Sequence, residues 1–341
     1  MATIKEVAER AQVSTATVSY VLNGTGSVTE ATRQRVLAAV AELDYQPNYA
    51  ARSMRGRSHT LGLVLPALPT RLTDPLLSAL LAGFSEAAAA RGYYLLLATA
   101  TEEQPEQVLA AQFVRTGRVD GVVLLDLQTD DERVAYLVEQ GIPHVCAGLP
   151  PEGHAVPYVT VDGRGGVLLA MRHLLGLGHR RIALIMLPSD LATSEPHYQG
   201  YSAALTAAGI AVDPTLILET GRAQIDGVTA MQELIDLPEP PTAVLACSDE
   251  VAFGAMHALH TSGREVGRDV SLVGFDDVPM AAHTHPPLTT LHYPQRDLGL
   301  HLARLLIGRI EGDTRNQQSV TLEMNLIIRK STGPVPGGDQ G

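Results

Sequence analysis

Thr3-Ile4-Lys5-Glu6-Val7-Ala8-Glu9-Arg10-Ala11, then Gln12-Val13-Ser14, then Thr15-Ala16-Thr17-Val18-Ser19-Tyr20-Val21-Leu22-Asn23 reads as two short helices around a tight turn. Thr3 and Glu6 have T-x-x-E spacing, a capping box in which each residue satisfies a free N–H of the other. Ile4, Val7, Ala8 and Ala11 recur at helical spacing and make one apolar face. Ser14 is a good N-cap for the second helix. Val18, Val21 and Leu22 then face inward, and Thr15, Ala16, Thr17, Ser19 and Tyr20 face outward. Asn23-Gly24 ends that helix, because glycine takes left-handed geometry at low cost. A third helix is expected from Thr29, with Val36, Leu37, Val40 and Leu43 as its buried stripe. The outer face of the second helix is short, polar and uncharged, which suits close approach to base edges in a DNA major groove.

Working outward, the chain has 341 residues, enough for two or three domains, and a formal net charge of −12. That charge is unevenly spread. Residues 1–60 hold seven Lys/Arg against five Asp/Glu, and the remainder holds 18 against 32. The asymmetry places any nucleic-acid face at the N-terminus. Cys146 and Cys247 are far apart in strand-like runs and read as buried free thiols. They form no disulfide framework and no zinc spacing. Lys5-Glu6 and Glu9-Arg10 break up any signal-peptide run, and no stretch approaches the ~20 apolar residues of a membrane span. A cytoplasmic protein without a membrane partner is expected.

From Leu61 onward, short apolar runs alternate with amphipathic stretches. Expected strands are 61–65, 93–98, 121–125, 144–147, 158–161, 181–187, 216–219, 243–247 and 270–275. Expected helices include 76–91, 104–115, 165–175 and 251–261. This alternation predicts parallel, doubly wound sheets, and there are strands for two of them. Two such lobes place a ligand in the cleft between them, near the strand C-terminal ends.

The pattern Thr3-Ile4-x-x-Val7-Ala8-x-x-Ala11-x-Val13-Ser14-x-x-Thr17-Val18-Ser19-x-Val21-Leu22-Asn23 resembles the lactose-repressor (LacI) family of bacterial transcription regulators. So do Leu43-x-Tyr45-x-Pro47-Asn48-x-x-Ala51-Arg52-Ser53-Met54, Gly178-His179-Arg180-Arg181-Ile182-Ala183, Ser248-Asp249-x-x-Ala252-x-Gly254-Ala255, Asp269–Asp277 and Pro287–Leu291. The resemblance covers almost the whole chain. It implies an all-α helix-turn-helix domain at 1–46 and a hinge helix and linker at 47–60. A two-lobed α/β domain like that of periplasmic sugar-binding proteins would follow at 61–330, with a flexible tail at 331–341. Lobe 1 is expected at about 61–161 plus 292–320, and lobe 2 at about 162–291 plus 321–330, joined by three crossings. The tail has no heptads, so a homodimer is the expected unit.

For DNA, the resemblance implies contacts from Thr3, Ser14, Thr15, Ala16, Thr17, Ser19, Tyr20, Asn23, Asn48, Arg52, Met54 and Arg55. Thr15, Ala16 and Tyr20 occupy the base-reading positions. Thr17 and Ser19 fit phosphate or capping roles. The hinge helix is too short to be stable alone and would fold on the operator, where Met54, at a position usually leucine, would wedge a minor-groove base step. Gly26 stands where purine-repressor-like members have a basic residue.

For the effector, the resemblance points to Leu76 and Leu77 behind Asp74-Pro75, and to Asp162, Thr193, His197, Arg222, Ser248, Asp249 and Asp276. A carboxylate at a strand end, as at Asp276, accepts two hydroxyl hydrogen bonds and suits a sugar. His197 replaces an arginine common among sugar-binding members. Arg222 stands where an aromatic is frequent, and reads either as the displaced cation or as a loop charge.

Asp162-Gly163-Arg164-Gly165-Gly166 lacks both the dinucleotide and the phosphate-loop spacings. His257, His260, His283, His285 and His292 lack helical metal spacing. No nucleophile elbow occurs. No cofactor, metal or catalytic residue is therefore expected. The resulting expectation is a DNA-binding repressor of carbohydrate genes, released from a palindromic operator by a mono- or oligosaccharide. The alternatives are a corepressor-dependent regulator of nucleotide or other metabolism and, behind it, a cytoplasmic sugar-binding protein or an α/β enzyme.

Overall fold

The computed structural model describes residues 2–23, 28–45, 57–66, 74–313 and 319–336. It divides into two compact units, Met1–Ser58 and His59–Gly341.

The first unit contains α1 (Ile4–Ala11), α2 (Thr15–Asn23) and α3 (Glu30–Glu42). The capping box forms: the Glu6 amide donates to Thr3 Oγ1 at 3.4 Å, and the Thr3 amide donates to the Glu6 carboxylate at 2.6 Å. Gln12 takes a left-handed φ of 53° to end α1. The Thr17 amide donates to Ser14 Oγ at 3.1 Å and so starts α2. Thr29 caps α3 through the Thr32 amide. Val7, Ala8, Ala11, Val18, Val21, Val36 and Ala39 form the core, and Arg10 pairs with Glu42 at 2.7 Å. One expectation is corrected. Leu37 is 44% exposed, and the small Ala39 takes the buried place beside Val36.

The second unit opens with β1 (Thr60–Leu65), α4 (Pro75–Ala89), β2 (Tyr94–Thr99), α5 (Glu106–Arg115), β3 (Gly121–Leu124), α6 (Glu132–Glu139), β4 (His144–Ala147) and β5 (Tyr158–Val161). It continues with α7 (Gly163–Gly176), β6 (Ile182–Met186), α8 (Ser194–Ala207), β7 (Ile217–Glu219), α9 (Gln224–Ile235), β8 (Ala243–Ala246), α10 (Asp249–Thr261), β9 (Ser271–Asp276) and β10 (Thr289–His292). It closes with α11 (Gln295–Glu311), β11 (Val320–Leu322) and β12 (Asn325–Ile327). Two six-stranded sheets result, ordered β11-β5-β4-β3-β1-β2 and β12-β10-β9-β8-β6-β7. Every pairing is parallel except β10 with β12.

Near-continuous apolar runs such as Thr60–Leu65, in which Leu61 to Leu65 are buried, are what a sheet covered on both faces requires. The chain crosses between lobes three times: after β5, after β10, and between β11 and β12. The helix after each of the first two crossings packs on the lobe it enters, α7 on the second-lobe core through Val167, Met171 and Leu174. Likewise α11 packs on the first-lobe core through Leu298, Leu302 and Leu306. Residues 321 and 322 belong to β11 in the first sheet, so the last crossing falls slightly later than expected.

The tail expected to be flexible is partly docked. Ser331 is buried, accepts from the Thr289 amide at 2.7 Å and donates to the Leu272 carbonyl at 2.6 Å. The Val335 amide donates to the Leu177 carbonyl at 3.1 Å. The polar, Gly/Pro-rich composition concealed a segment held by backbone and hydroxyl hydrogen bonds rather than by apolar side chains. Among the described residues, no helix is long and apolar enough to cross a membrane. Both cysteines are buried free thiols, each pushed up to about 12 by burial.

Candidate functional site

In the first unit, Thr15 and Ala16 are exposed at the start of α2, and Tyr20 is 50% exposed one turn on. Val18 and Val21 are buried on the opposite side of the helix. Buried valines therefore fix the rotation of α2 and leave Thr15, Ala16 and Tyr20 presented outward. Thr3, Ser14 and Thr17 are engaged in caps, with Ser14 and Thr17 hydroxyls 2.9 Å apart. Capping does not use up a hydroxyl, and helix N-termini of this kind suit phosphate. Ser19 is partly buried. Asn23 is the last residue of α2. Gly26, Asn48, Arg52, Met54 and Arg55 lie outside the described residues.

In the second unit, the C-terminal ends of the two sets of parallel strands face each other across the inter-lobe cleft, as the approach of Asp126, after β3, to Arg222, after β7, shows. Asp276 ends β9 with a φ of 119°, and Asp277 follows at 58°. Two successive non-glycine residues in the left-handed half of the map are strained, and such strain concentrates at functional sites. Burial, reinforced by the Asp249 charge, raises the Asp276 carboxyl well above the usual carboxylate range, and Arg222 opposes that rise. Arg222 Nη2 also lies 3.7 Å from Asp126 Oδ1, and Asp126 belongs to the other lobe. Arg222 thus carries its charge to the facing lobe and to the neighbourhood of Asp276.

His197 projects from α8 and is 5% exposed. Its ring tilts against Phe275 with centroids 4.6 Å apart, and Phe275 in turn stands 6.2 Å from Tyr293. Burial lowers the imidazole to about 4, so the ring is neutral at physiological pH. A Cβ at Gly163 would lie 2.6 Å from His197 Nε2, so glycine there lets the imidazole approach α7. Neutral imidazole offers one donor and one acceptor, a good match for a hydroxyl. Tyr293, on the second crossing, has its phenol pushed up by burial and then by Asp276.

The structure brings Asp276, Arg222 and His197 together with Phe275 and Tyr293. Ser248 precedes α10, is 8% exposed and makes no cap hydrogen bond through its side chain. Thr193 precedes α8 on the rim and is exposed. Asp162 caps α7, accepting from the Gly165 amide at 2.8 Å, and remains exposed. Leu76 is partly buried, and its amide donates to Asp74 Oδ1 at 2.8 Å.

Two effector candidates are corrected. Leu77 is 2% exposed and belongs to the first-lobe core. Asp249 has no exposed surface and is spent on protein groups. It accepts from the Thr290 hydroxyl at 2.6 Å and the Val278 amide at 2.9 Å. Burial pushes its carboxyl up to about 7. It ties β9, β10 and α10 together from beneath the cleft. Asp126 and Tyr293 were missed as cleft residues, and Phe275, 2% exposed, supports His197 from within the second-lobe core. Only Asp126, two residues past the end of β3, carried a signal that sequence could have yielded. Among the described residues, no three His, Cys, Asp or Glu side chains gather to hold a metal.

Comparison with known proteins gives one consistent answer. Residues 3–48 match the family "Bacterial regulatory proteins, lacI family", and residues 171–332 match "Periplasmic binding protein-like domain". The HTH-type transcriptional regulator CelR of Thermobifida fusca is 39% identical over 334 residues, 96% of this chain and 98% of that protein. The HTH-type transcriptional repressor CytR of Escherichia coli (strain K12) is 33% identical over 98% of this chain and 97% of its own length. Among solved structures, a CelR–cellobiose complex matches with a TM-score of 0.75 at 38% identity, covering 97% of this chain and all of that one. A lac repressor dimer bound to operator and the anti-inducer ONPF matches with a TM-score of 0.84 at 28% identity, over 97% and 99% of the two chains. With the helix-turn-helix and the two-lobed cleft already described, these likenesses make the chain a member of the LacI family of DNA-binding transcriptional regulators.

Proposed function

We propose that this regulator represses carbohydrate-use genes as a homodimer and is released from its operator when a neutral sugar enters the cleft. The observation that carries this reading is the grouping of Asp276, beside Arg222 and Tyr293, with the neutral His197 that packs on Phe275. The Asp276 carboxyl exchanges hydrogen bonds with sugar hydroxyls, the imidazole both donates and accepts, and Tyr293 offers an aromatic face to a sugar. CelR was solved with cellobiose, so a β-linked disaccharide is the first ligand to try here.

On the DNA side, Thr15, Ala16 and Tyr20 read base edges in each half-site. Thr3, Ser14, Thr17, Ser19, Asn23, Asn48, Arg52 and Arg55 serve phosphate and positioning contacts, and Met54 is the minor-groove wedge. A two-fold dimer fits a palindromic operator. Exposed apolar side chains support a dimer surface: Tyr94 and Leu97 on edge strand β2, and Ile225 and Met280 in the other lobe. The effector shifts the operator equilibrium only by its differential affinity for two lobe settings, typically ~1–3 kcal/mol of coupling.

The test is cellobiose titration of the protein by calorimetry, alone and as Asp276→Asn. Binding by the wild type and its loss in the variant supports the reading. Equal binding by both removes Asp276 from the site.

A further inference from the structure

The two lobes meet through more than their three crossings. Behind β3 the chain turns at Asp126, where φ is 49°, and runs on through residues 127–129. Across the cleft, behind β6, residues 190–192 run the opposite way. Gln128 and Leu191 pair as an antiparallel bridge. The Ala192 amide donates to the Leu127 carbonyl at 3.0 Å, and the Thr129 amide donates to the Asp190 carbonyl at 2.9 Å. The Thr129 hydroxyl adds a longer contact to the same Asp190 carbonyl at 3.3 Å.

Each strip is held from behind within its own lobe. The Arg133 guanidinium donates to the carbonyls of Leu125 and Asp126, both at 3.0 Å. Arg133 is itself anchored by Asp131 at 2.6 Å and Glu106 at 2.5 Å. In the other lobe the buried Ser194 hydroxyl donates to the Leu187 carbonyl at 3.2 Å and the Pro188 carbonyl at 2.7 Å. Neither Arg133 nor Ser194 has a hydrogen bond to the opposite lobe among these contacts. Each shapes a strip of backbone that does.

Interfaces between domains of one chain are ordinarily polar and loose. Two backbone strips already fixed in shape lose less conformational freedom on meeting than free loops would. The strips adjoin the Asp126–Arg222 pair, which spans the cleft mouth beside Asp276.

We propose that residues 127–129 and 190–192 form a latch that holds the lobes closed over the effector, with Arg133 and Ser194 as its positioning residues. The role in retaining a ligand rests on the effector reading above. The latch itself does not. Backbone pairing makes it indifferent to the strip side chains, and Arg133 and Ser194 set its geometry.

The test is a disulfide across the bridge. Paired Cα atoms of an antiparallel bridge stand roughly 4.5–5.5 Å apart, within disulfide reach. The full-length double variant Gln128→Cys/Leu191→Cys is expected to form an intramolecular cross-link under mild oxidation. Adding Ser194→Ala or Thr129→Pro, which removes one bridging amide, is expected to slow cross-linking by about tenfold, because the open state then dominates. Arg133→Met is expected to do the same. Should that variant fail to fold, because it strands Asp131 and Glu106, the other two still decide. Hydrogen exchange should speed up at 127–130 and 190–193 and stay unchanged in β3 and β6, a pattern that general destabilisation would not give.

Failure of the cross-link to form, or an unchanged rate in both Ser194→Ala and Thr129→Pro, overturns the latch. Cellobiose release measured by stopped flow separates the two readings. Faster release in the latch variants supports retention, and unchanged release overturns it. A cross-link that behaves as expected in a protein that binds no cellobiose leaves the latch standing and counts against the sugar reading alone.

Discussion

The DNA-reading unit and the effector unit use opposite designs. In the first, the proposed reading surface is one face of one helix, and the residues beneath it are its sequence neighbours. Val18 and Val21 sink into the core, and Thr15, Ala16 and Tyr20 are thereby presented. In the second, the residues proposed for the ligand come from strand ends and a helix far apart in the chain. Asp126 and Arg222 are 96 positions apart and meet at 3.7 Å, and His197 meets Phe275 across two separate elements. The helix face follows from local rules of capping and periodicity. The cleft follows from topology, which brings the strand C-termini of two sheets to face each other.

This contrast can be broken in several ways. The largest effect is expected from Val18→Asp. It places a charge in a site with no exposed surface and should cost about 3–5 kcal/mol, unfolding the small first unit. Operator binding should vanish while ligand binding by the second unit stays unchanged, as calorimetry and anisotropy can check. Loss of both activities would show that the units are not independent in stability.

Next, the two cleft aspartates should separate. Asp249→Ala strands the Thr290 hydroxyl and the Val278 amide and should lower stability by about 2–4 kcal/mol. Asp276→Asn should leave stability close to wild type and abolish the sugar response. Urea unfolding and ligand titration of both variants test the division, and similar profiles would erase it.

A pH profile sharpens the point. Folding holds His197 near 4 against an ordinary 6.5. Above pH 6.5 the imidazole is neutral in both states and costs nothing. As pH falls from 6.5 toward 4, only the unfolded chain gains the proton, and about 3 kcal/mol of stability is lost through this group. Asp249 works the other way, since its folded value near 7 means that stability is gained as pH falls from 7 toward 4. His197→Gln should therefore flatten the acid-side loss in urea unfolding at pH 6.5 against pH 4.5. A loss as steep as in wild type would mean that another group carries it.

The smallest effects are expected on the reading face. Ala16→Gly or Tyr20→Ala should weaken operator binding by about 1–3 kcal/mol each and alter base preference. A uniform loss across all sequences would move these residues to the phosphate side.

The same contrast explains what the sequence discloses. The Thr3–Glu6 capping box, the Ser14 cap, the helix start at Thr29 and the alternation of strands and helices are local signals, and the structure follows them closely. Leu37 misled because an apolar residue at helical spacing need not be the one a small bundle buries. Asp249 and Asp276 look alike in sequence, one an aspartate that opens the helix just after β8 and the other an aspartate that ends β9. Only the packing of β9, β10 and α10 shows that one is enclosed by Thr290 and Val278 and the other opens to the cleft. Asp126 had no local mark of its partner, because Arg222 comes from the other lobe. The docked tail escaped notice because Ser331 and Gly333 are held by hydrogen bonds, which leave no apolar pattern.

The central claim is that one chain couples a DNA-reading helix to a sugar-filled cleft. The most direct measurement is fluorescence anisotropy of a labelled palindromic operator from the gene's own upstream region. It would be run at fixed salt with wild type and Asp276→Asn, titrated with cellobiose and a panel of neutral sugars. The expected result is tight binding by both proteins, with release by one sugar from the wild type alone. Tight binding that no sugar releases, or equal release from Asp276→Asn, would contradict the account.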